Sequence, residues 1–376
     1  SNVWYYWTEK VLNVLVTGYV PLGKEDKVEV GPVNTLVSFN DVEGCRFRVG
    51  GLTTANLNKH WFFRGYGAYG TKDHRWKYYG EAEYAFNEKK RHSREFPVRS
   101  IRASYRYDTE FLGQDYAFTN PDNIFLSFKR MDDTIMVYTR TARLEYTSEF
   151  DNHLSINLAV QNQRQESTRY VKFNFADGSS LPHLDFTTAT FTLRYAPGEK
   201  FIQTKSERIP VNIDAPVVQI SHTYGPGSTL GSGRYFVNKT ELDIRKRFWF
   251  SAFGYSDVII RGGHVWSTSP FTQLFIPNAN MTYTIQPESF TLLSPLEFIA
   301  DTYASWDVTY WANGAVFNYI PYLKQLRLRE SISFRGFWGR LSDKNNPGCN
   351  PWLPQFPVGS NPVTVTDVPY MELGVG

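Results

Sequence analysis

The chain has 376 residues, of which 40 are basic and 37 acidic, so its net charge is +3. This near balance excludes the strongly basic surface of a nucleic-acid-binding protein. Aromatic residues make up 16% of the chain and the mean hydropathy is −0.40, which disfavours a helical membrane protein but suits a β-barrel with a polar interior. No stretch reaches the roughly 18 consecutive apolar residues of a transmembrane helix.

The first predicted element is a short helix over residues 9–16, which ends at Gly18. A turn-rich connector follows. We therefore interpret residues 1–32 as a helix and connector, and residues 33–376, where the pattern is β throughout, as one domain. The chain opens without a signal-peptide pattern and residues 370–376 resemble a strand cut short, so we expect a fragment whose domain is truncated at its C-terminus.

Segments of about ten residues alternate apolar and polar side chains, as in strands with one apolar and one polar face. In residues 99–107, Ile101 and Tyr105 share one face, whereas Arg102 and Arg106 share the other. The same alternation recurs in residues 45–49, 79–86, 139–146, 154–163, 187–195, 241–247, 301–311 and 325–335. Roughly 14 such segments plus a clipped one at the C-terminus predict an antiparallel all-β fold of about 16 strands.

Two kinds of connection separate these segments. Residues 150–153 form a short turn, whereas residues 87–95, 167–184, 196–216 and 341–369 are long and polar. Outer-membrane barrels combine short periplasmic turns with long outer loops, so this mixture favours a barrel.

Aromatic residues begin or end many of the predicted strands. They form girdles at both membrane interfaces of an outer-membrane barrel, whereas a soluble β-sandwich, whose strands also alternate, does not require them. The candidate girdle consists of six tryptophans: Trp61, Trp76, Trp249, Trp306, Trp311 and Trp338.

The polar faces of the strands carry many arginine and glutamate residues, and arginine outnumbers lysine there. Mixed charges can pair across strands in a hydrated interior, which favours a transmembrane β-barrel over a sandwich. The candidate lumen-facing strip consists of Arg46, Arg48, Glu81, Glu83, Arg102 and Arg106. Its arginines could attract anionic substrates or the phosphates of lipopolysaccharide, but we favour structural ion pairs with Glu81 and Glu83.

No pattern of catalytic, cofactor-binding or metal-binding residues is found, so we expect neither an enzyme nor a cofactor. The seven histidines are scattered without the spacing of metal ligands. The glycine-rich residues 227–233 lack the lysine of a phosphate-binding loop, and no Gly-x-Ser-x-Gly motif occurs. Cys45 and Cys349 are far apart, and nothing in the sequence supports a disulfide between them.

Longer segments carry a family resemblance. They include Gly51-Leu-Thr-Thr-Ala-Asn-Leu-Asn-Lys-His60, Lys246-Arg-Phe-Trp-Phe-Ser-Ala-Phe-Gly-Tyr255, Tyr303-Ala-Ser-Trp-Asp-Val-Thr-Tyr-Trp-Ala-Asn-Gly314 and residues 193–200, 276–280, 283–290, 341–347 and 369–376. Together they resemble a family of large, uncharacterised outer-membrane proteins of Bacteroidota, usually labelled carboxypeptidase-like regulatory domain-containing proteins. The resemblance implies a barrel formed by a domain of unknown function and a location in the cell outer membrane. It also implies a signal peptide and a non-catalytic sandwich domain before the barrel, and two further strands after residue 376.

The C-terminal third is also distantly similar to BamA-like outer-membrane assembly barrels, through residues 297–303, 314–321 and 372–376. The lumen-loop motif of those barrels, Val/Leu-Arg-Gly-Phe/Tyr, is missing from the corresponding residues 286–296. Phe334-Arg-Gly-Phe337 has these letters but lies in a predicted strand. The departure weakens the case for an assembly role.

Three functions follow as hypotheses. The first is an outer-membrane barrel that assists outer-membrane biogenesis or translocation, which rests on analogy. It implies contact with membrane lipid, lipopolysaccharide included, and protein partners on the periplasmic side near residues 9–16. The second is a passive or gated pore. The third, of a different class, is a soluble carbohydrate-binding β protein that uses exposed tryptophan and tyrosine. None of them involves nucleic acid.

Overall fold

The computed structural model describes residues 14, 17–23, 25–114, 122–204, 208–211, 214–227, 235–284, 286–312, 314, 322, 329–364 and 366–376. One antiparallel sheet of 16 strands dominates this part of the chain, which confirms the predicted antiparallel all-β class. Among the described residues, no helix is both long enough and apolar enough to cross a membrane.

The strands of the described residues are short before Gly44 and mostly ten residues or longer in the large sheet thereafter. They are β1 (Val20–Leu22), β2 (Val28–Val30), β3 (Val37–Asn40), β4 (Gly44–Thr53), β5 (Trp61–Gly70), β6 (Trp76–Ala85), β7 (Arg99–Phe111), β8 (Met136–Glu149), β9 (Leu154–Glu166), β10 (Phe173–Asn174), β11 (Ser180–Leu181), β12 (His183–Tyr195), β13 (Phe201–Gln203), β14 (Arg208–Pro210), β15 (Val217–Gly227), β16 (Tyr235–Trp249), β17 (Tyr255–Val265), β18 (Thr302–Trp311), β19 (Ser331–Arg340) and β20 (Tyr370–Val375).

Strands that are neighbours in the sequence are neighbours in the large sheet, whose order is β1-β2-β4-β5-β6-β7-β8-β9-β12-β15-β16-β17-β18-β19-β20, with β3 paired to β4. The pairs β10–β11 and β13–β14 form small separate hairpins within two connections. Such a meander arises because each strand pairs most readily with the strand that a short connection brings beside it.

The sheet begins earlier than the predicted domain boundary at residue 33. Val20 pairs with Val30, and β2 pairs with β4, so residues 20–30 already belong to it. Val14 and Thr17 are helical, and the Gly18 N–H donates to the Val14 carbonyl at 2.8 Å. The rest of the predicted helix over residues 9–16 lies outside the described residues, as do residues 325–328 of the last predicted segment.

The two faces of the sheet have opposite character. Leu144 and Val160, paired across β8 and β9, are 51% and 55% exposed. Arg46 and Glu83, on the other face, are 1% and 2% exposed. Apolar side chains thus point outward and charged side chains point inward, the reverse of a soluble protein.

The meander places successive connections at alternate ends of the sheet. We call one end the long-loop end; the described parts of its connections are residues 71–75, 112–114, 122–135, 167–182, 266–284, 286–301, 341–364 and 366–369. The described connections of the opposite end include residues 54–60, 86–98, 150–153, 196–204, 208–211, 214–216 and 250–254. Of the long polar segments predicted from the sequence, residues 167–184 and 341–369 therefore belong to the long-loop end, and residues 87–95 and 196–216 to the opposite end.

Residues 266–301, which we call the interior segment, lie against the inward face. The Ala279 N–H donates to the Gly113 carbonyl at 2.9 Å, beyond β7, while the Thr291 N–H donates to Glu372 of β20 at 2.8 Å. These contacts reach strands far apart in the sheet order, so the sheet curves around the segment. An apolar core at this end joins the segment to the connections beside it: Leu112, Val137, Val171, Phe173, Leu184, Phe186, Val237, Val265, Phe271, Leu274, Phe275 and Ile299.

Candidate functional site

The concave inward face carries the charged strip that the sequence predicts, and Arg46 is its most buried member. Arg46 donates to both carboxylate oxygens of Asp108, at 2.6 and 2.9 Å, and to Glu43 at 3.0 Å. Arg46 lies on β4 and Asp108 on β7, so the two meet only because the sheet is curved. Arg48 pairs with Asp122 at 2.6 Å.

Arg102 provides the part of the strip that pairs as the sequence suggests. Its guanidinium lies 3.8 Å from Glu81 and 3.7 Å from Glu83, and also 3.7 Å from Glu145 of the next strand. Glu83 accepts a hydrogen bond from the Ser100 hydroxyl at 2.7 Å. The predicted ion pairs with Glu81 and Glu83 are therefore formed by Arg102. Arg46 and Arg48 pair instead with acids that were not selected from the sequence.

Glu43, Asp108 and Asp122 are the residues that the sequence analysis missed. Asp108 lies on the same strand as Arg102 and Arg106 and is an even number of residues from both, so it shares their polar face. The alternation of side chains could therefore have identified it. Glu43 and Asp122 belong to connections, where no periodicity marks the direction of a side chain.

Among the cavities of the described residues, two on the inward face adjoin the interior segment on different sides. The first, of about 670 Å³, is lined by residues including Arg48, Arg106, Asp108, Glu110 and Lys129. Charges of both signs surround it, so it suits water and ions better than an apolar ligand. The second, of about 490 Å³, is lined by residues that include Glu241, Asp243, Arg245, Arg261 and Tyr303.

The interior segment separates these cavities, because Ile276 and Asn278 line both of them. Glu288 fixes the segment to the sheet wall: it accepts from Arg245 at 2.5 Å and also from Arg261. Both arginines are shared with Asp243, at 2.8 Å each. Glu288 has φ of 57° in the left-handed region, which is unfavourable for a side chain of this size and is held by these contacts.

Three further side chains hold the segment through hydrogen bonds to its backbone. Glu372 accepts the backbone N–H groups of Thr291 and Leu292 at 2.8 and 2.7 Å. Arg335 donates to the Ser289 carbonyl at 2.8 Å. On the far side, Arg130 donates to the Asn280 carbonyl at 2.5 Å. Charged side chains therefore hold the interior segment on both flanks, from the sheet wall on one side and from the connection between β7 and β8 on the other.

The connection between β7 and β8 lies next to this segment at the long-loop end. Lys129 pairs with Asp133 at 2.6 Å, and Asp133 accepts the Asp41 N–H at 2.8 Å. Burial lowers the pKa of Lys129 and raises the pKa of Asp133. Burial thus favours the neutral form of each side chain, whereas the charge of the partner favours the ionised form. The two groups therefore depend on their mutual ion pair to stay ionised.

Four of the six candidate girdle tryptophans lie on the outward face. Trp61 and Trp76 are 44% and 69% exposed at opposite ends of the sheet. Trp338 lies near the long-loop end, where its indole N–H donates to the Thr366 carbonyl at 3.1 Å. Trp306 is in the middle of β18, so its position differs from that of an interfacial residue.

Trp249 and Trp311 have the parity of the inward face. Trp249 is two residues beyond Arg247, which pairs with Asp257 at 2.6 Å on that face. Both tryptophans pack on Tyr255, with ring centroids 5.0 and 6.3 Å away. They form an aromatic cluster at the opposite end of the interior, and the girdle they were assigned to remains a prediction.

Within the described residues, no group of three or more His, Cys, Asp or Glu could hold a metal ion. Cys45 and Cys349 are both free thiols. The inward face is thus a network of ion pairs around an inserted segment.

Comparisons with known proteins give one family and one structural likeness. A model described as the C-terminal domain of a family of unknown function (DUF5686) matches residues 12–344. No curated protein matches the chain. Among solved structures, the chain is similar to "The crystal structure of BamA from Haemophilus ducreyi lacking POTRA domains 1-3", with a TM-score of 0.44 and 12% identity over 83% of this chain. The chain covers 57% of that structure.

Proposed function

The chain belongs to this family of unknown function, DUF5686, and we propose that it is an integral β-barrel protein of the bacterial outer membrane whose interior is occupied by its own residues. The narrower assignment to Bacteroidota proteins labelled carboxypeptidase-like regulatory domain-containing proteins rests on the sequence segments quoted above and is part of the proposal.

The observation that carries the proposal is the apolar outward face. Large apolar side chains are exposed on successive strands, from Val49 through Leu144 and Leu158 to Ile260 and Leu373. Soluble monomers rarely expose apolar patches of more than a few hundred Å², because hydration of such a surface costs about 25 cal/mol per Å². A lipid bilayer removes this cost, and paired strands leave few backbone groups unsatisfied in it.

The lengths of the connections support an orientation. Residues 112–135, 266–301 and 341–369 all lie at the long-loop end. Outer-membrane barrels have their longer loops on the extracellular side. We therefore place the long-loop end outside the cell and the aromatic cluster around Tyr255 on the periplasmic side.

The filled interior favours a role in outer-membrane biogenesis or translocation over a permanently open pore. The interior segment, with Glu288 and Glu372 at its contacts, divides the interior instead of leaving a continuous channel. A gated pore is the second candidate, favoured by the cavities of about 670 and 490 Å³ on the two sides of the segment. The soluble carbohydrate-binding alternative does not account for the exposed aliphatic side chains.

Membrane fractionation tests the proposal. The complete gene is expressed in its native host, and the outer-membrane fraction is compared on gels with and without boiling. We expect the protein in this fraction, with faster migration when unboiled, because a closed barrel resists the detergent. A protein released with the soluble periplasmic fraction and lacking a mobility shift would refute the proposal.

Planar-bilayer recordings separate the two candidate roles. We expect the purified protein to show no sustained conductance at moderate voltage, because the interior segment blocks the passage. A stable, large conductance in every insertion would instead establish an open pore.

A further inference from the structure

A charged cluster interrupts the outward apolar face at the long-loop end. We call it the rim patch; its members are Arg75, Arg140, Arg164, Glu166 and Asp185. On β8, Arg140 lies four residues from Leu144, about 13 Å along the strand, and points to the same face. Arg140 is paired with Arg164 across the strands, and Arg164 with Asp185. The outward face thus changes from aliphatic to charged within two side-chain positions.

The arginines of the rim patch are more accessible than its acids. The side chains of Arg75, Arg140 and Arg164 are 46%, 42% and 42% exposed, whereas those of Glu166 and Asp185 are 23% and 18% exposed. One carboxylate, Glu166, serves both Arg75 and Arg140, at 3.4 and 3.6 Å. Three positive charges therefore meet two negative ones, and the surplus faces outward.

Tyrosine rings support two of these guanidinium groups. Arg75 lies over the ring of Tyr138 at 4.4 Å, and Arg140 lies over the ring of Tyr107 at 5.1 Å. Arg75 also donates to the Tyr107 hydroxyl at 2.9 Å. Stacking of this kind restricts the guanidinium groups while their remaining N–H donors stay available.

We propose that the rim patch binds the phosphate groups of a lipid headgroup in the adjoining membrane leaflet. This inference rests on the proposed function, because the aliphatic face around Leu144 must lie among acyl chains for the patch to lie at headgroup level. Arginine is suited to the role because its planar guanidinium makes two parallel hydrogen bonds to one phosphate. On the extracellular side of an outer membrane, the lipid is one that carries several phosphates, such as lipid A.

The test measures lipid retained by the full-length protein in native mass spectrometry, with lipid A that carries two phosphates, lipid A that carries one, and phosphatidylcholine as probes. We expect the two-phosphate form to be retained best. The double variant Arg140→Gln/Arg164→Gln is expected to weaken its retention about tenfold, because it removes two of the three basic side chains that attract the anionic headgroup, each of them already partly paired with an acid.

A matched control is the double variant Arg99→Gln/Lys246→Gln, which removes two positive charges from the outward face at the opposite end. It should leave retention unchanged. The variant Glu166→Gln should increase retention, because it removes the carboxylate that Arg75 and Arg140 share. This gain does not depend on how well the double arginine variant folds.

Three results would overturn the inference: equal retention of the three lipids, equal loss in the control variant, or displacement of the lipid by inorganic phosphate at equal concentration. Each variant is first examined for heat-modifiable migration. If the unaltered protein shows no such migration, the proposed function fails; if it does and the lipids are retained equally, only the rim patch proposal fails.

Discussion

At the scale of single residues, Asp108 is a buried carboxylate that was not selected from the sequence, and it connects β7 to Arg46 on β4 and Tyr66 on β5. Its carboxylate accepts two hydrogen bonds from Arg46 and one from the Tyr66 hydroxyl, and Asp108 is 3% exposed. A buried guanidinium that loses one acid partner keeps its desolvation cost with less compensation. Without Asp108, Arg46 would retain Glu43 and Asp122, each at 3.0 Å, so Asp108 is one of three carboxylates that stabilise the sheet near β4.

We predict that Asp108→Asn lowers the free energy of unfolding by about 2 kcal/mol, less than the roughly 3–5 kcal/mol of breaking an isolated buried ion pair, because Arg46 still pairs with Glu43 and Asp122. Urea unfolding of the protein in lipid vesicles measures it. Asp177→Asn, which alters a carboxylate in an exposed turn, serves as the control and should have little effect. Equal midpoints for the two variants would contradict the prediction.

At the scale of elements, the interior segment is held by contacts that the sequence pattern does not predict. Glu288 reaches Arg245 on β16 and Arg261 on β17, and Glu372 on β20 accepts two backbone N–H groups from the segment. Residues 286–296, which lack the Val/Leu-Arg-Gly motif of BamA-like barrels, include this glutamate. Phe334–Phe337 carry the motif letters but lie within β19, as predicted.

We predict that Glu288→Gln loosens the interior segment, because neutral glutamine cannot compensate the two arginines. The expected result is intermittent conductance in planar bilayers and faster protease cleavage within residues 266–301. The matched control is Glu297→Gln, in the same segment, whose carboxylate is exposed and accepts only the Ser294 N–H at 2.9 Å among its described contacts. Conductance and cleavage that are the same in both variants would show that the ion pairs do not hold the segment.

At the scale of the whole molecule, the sheet has an apolar outward face, interrupted by the rim patch, and a charged inward face. Leu144 on β8 and Leu158 on β9 are half exposed, whereas Arg46 on β4 and Glu83 on β6 are 1% and 2% exposed. The alternation of side chains along each strand produces this pattern once the sheet curves. The outward face is the part of the molecule that must meet lipid if the proposal is correct.

We predict that Leu144→Arg strongly reduces the amount of barrel in the outer membrane, because an arginine near the middle of the bilayer on the lipid face costs about 2–4 kcal/mol. Asn157→Arg introduces the same side chain on the inward face of the adjacent strand and should be tolerated. Heat-modifiable protein in outer-membrane fractions is the readout. If Leu144→Arg is present in the outer membrane at the same level as the unaltered protein, the outward face contacts water and not lipid, which would contradict the prediction.

The strands and their faces were predictable from the sequence because alternation is a local property. All nine segments chosen for alternation overlap strands of the large sheet, and the alternation in residues 99–107 has its apolar members Ile101 and Tyr105 on the outward face. The short strands β1 and β2 were not predicted, since three residues carry no measurable period. Pairing with β4 decides the place of β2 in the sheet, and pairing with β2 decides that of β1.

The sequence by itself determined the all-β class, the approximate number of strands and which side chains share a face, because backbone geometry alternates side chains regardless of the rest of the chain. Only the tertiary structure decided the partners of Arg46 and Arg48 and the location of residues 266–301 in the interior. Those features depend on the curvature of the sheet, which brings together strands and connections far apart in the chain. The periodicity of a single strand does not predict such contacts, because they depend on distances across the interior and not on spacing along the chain.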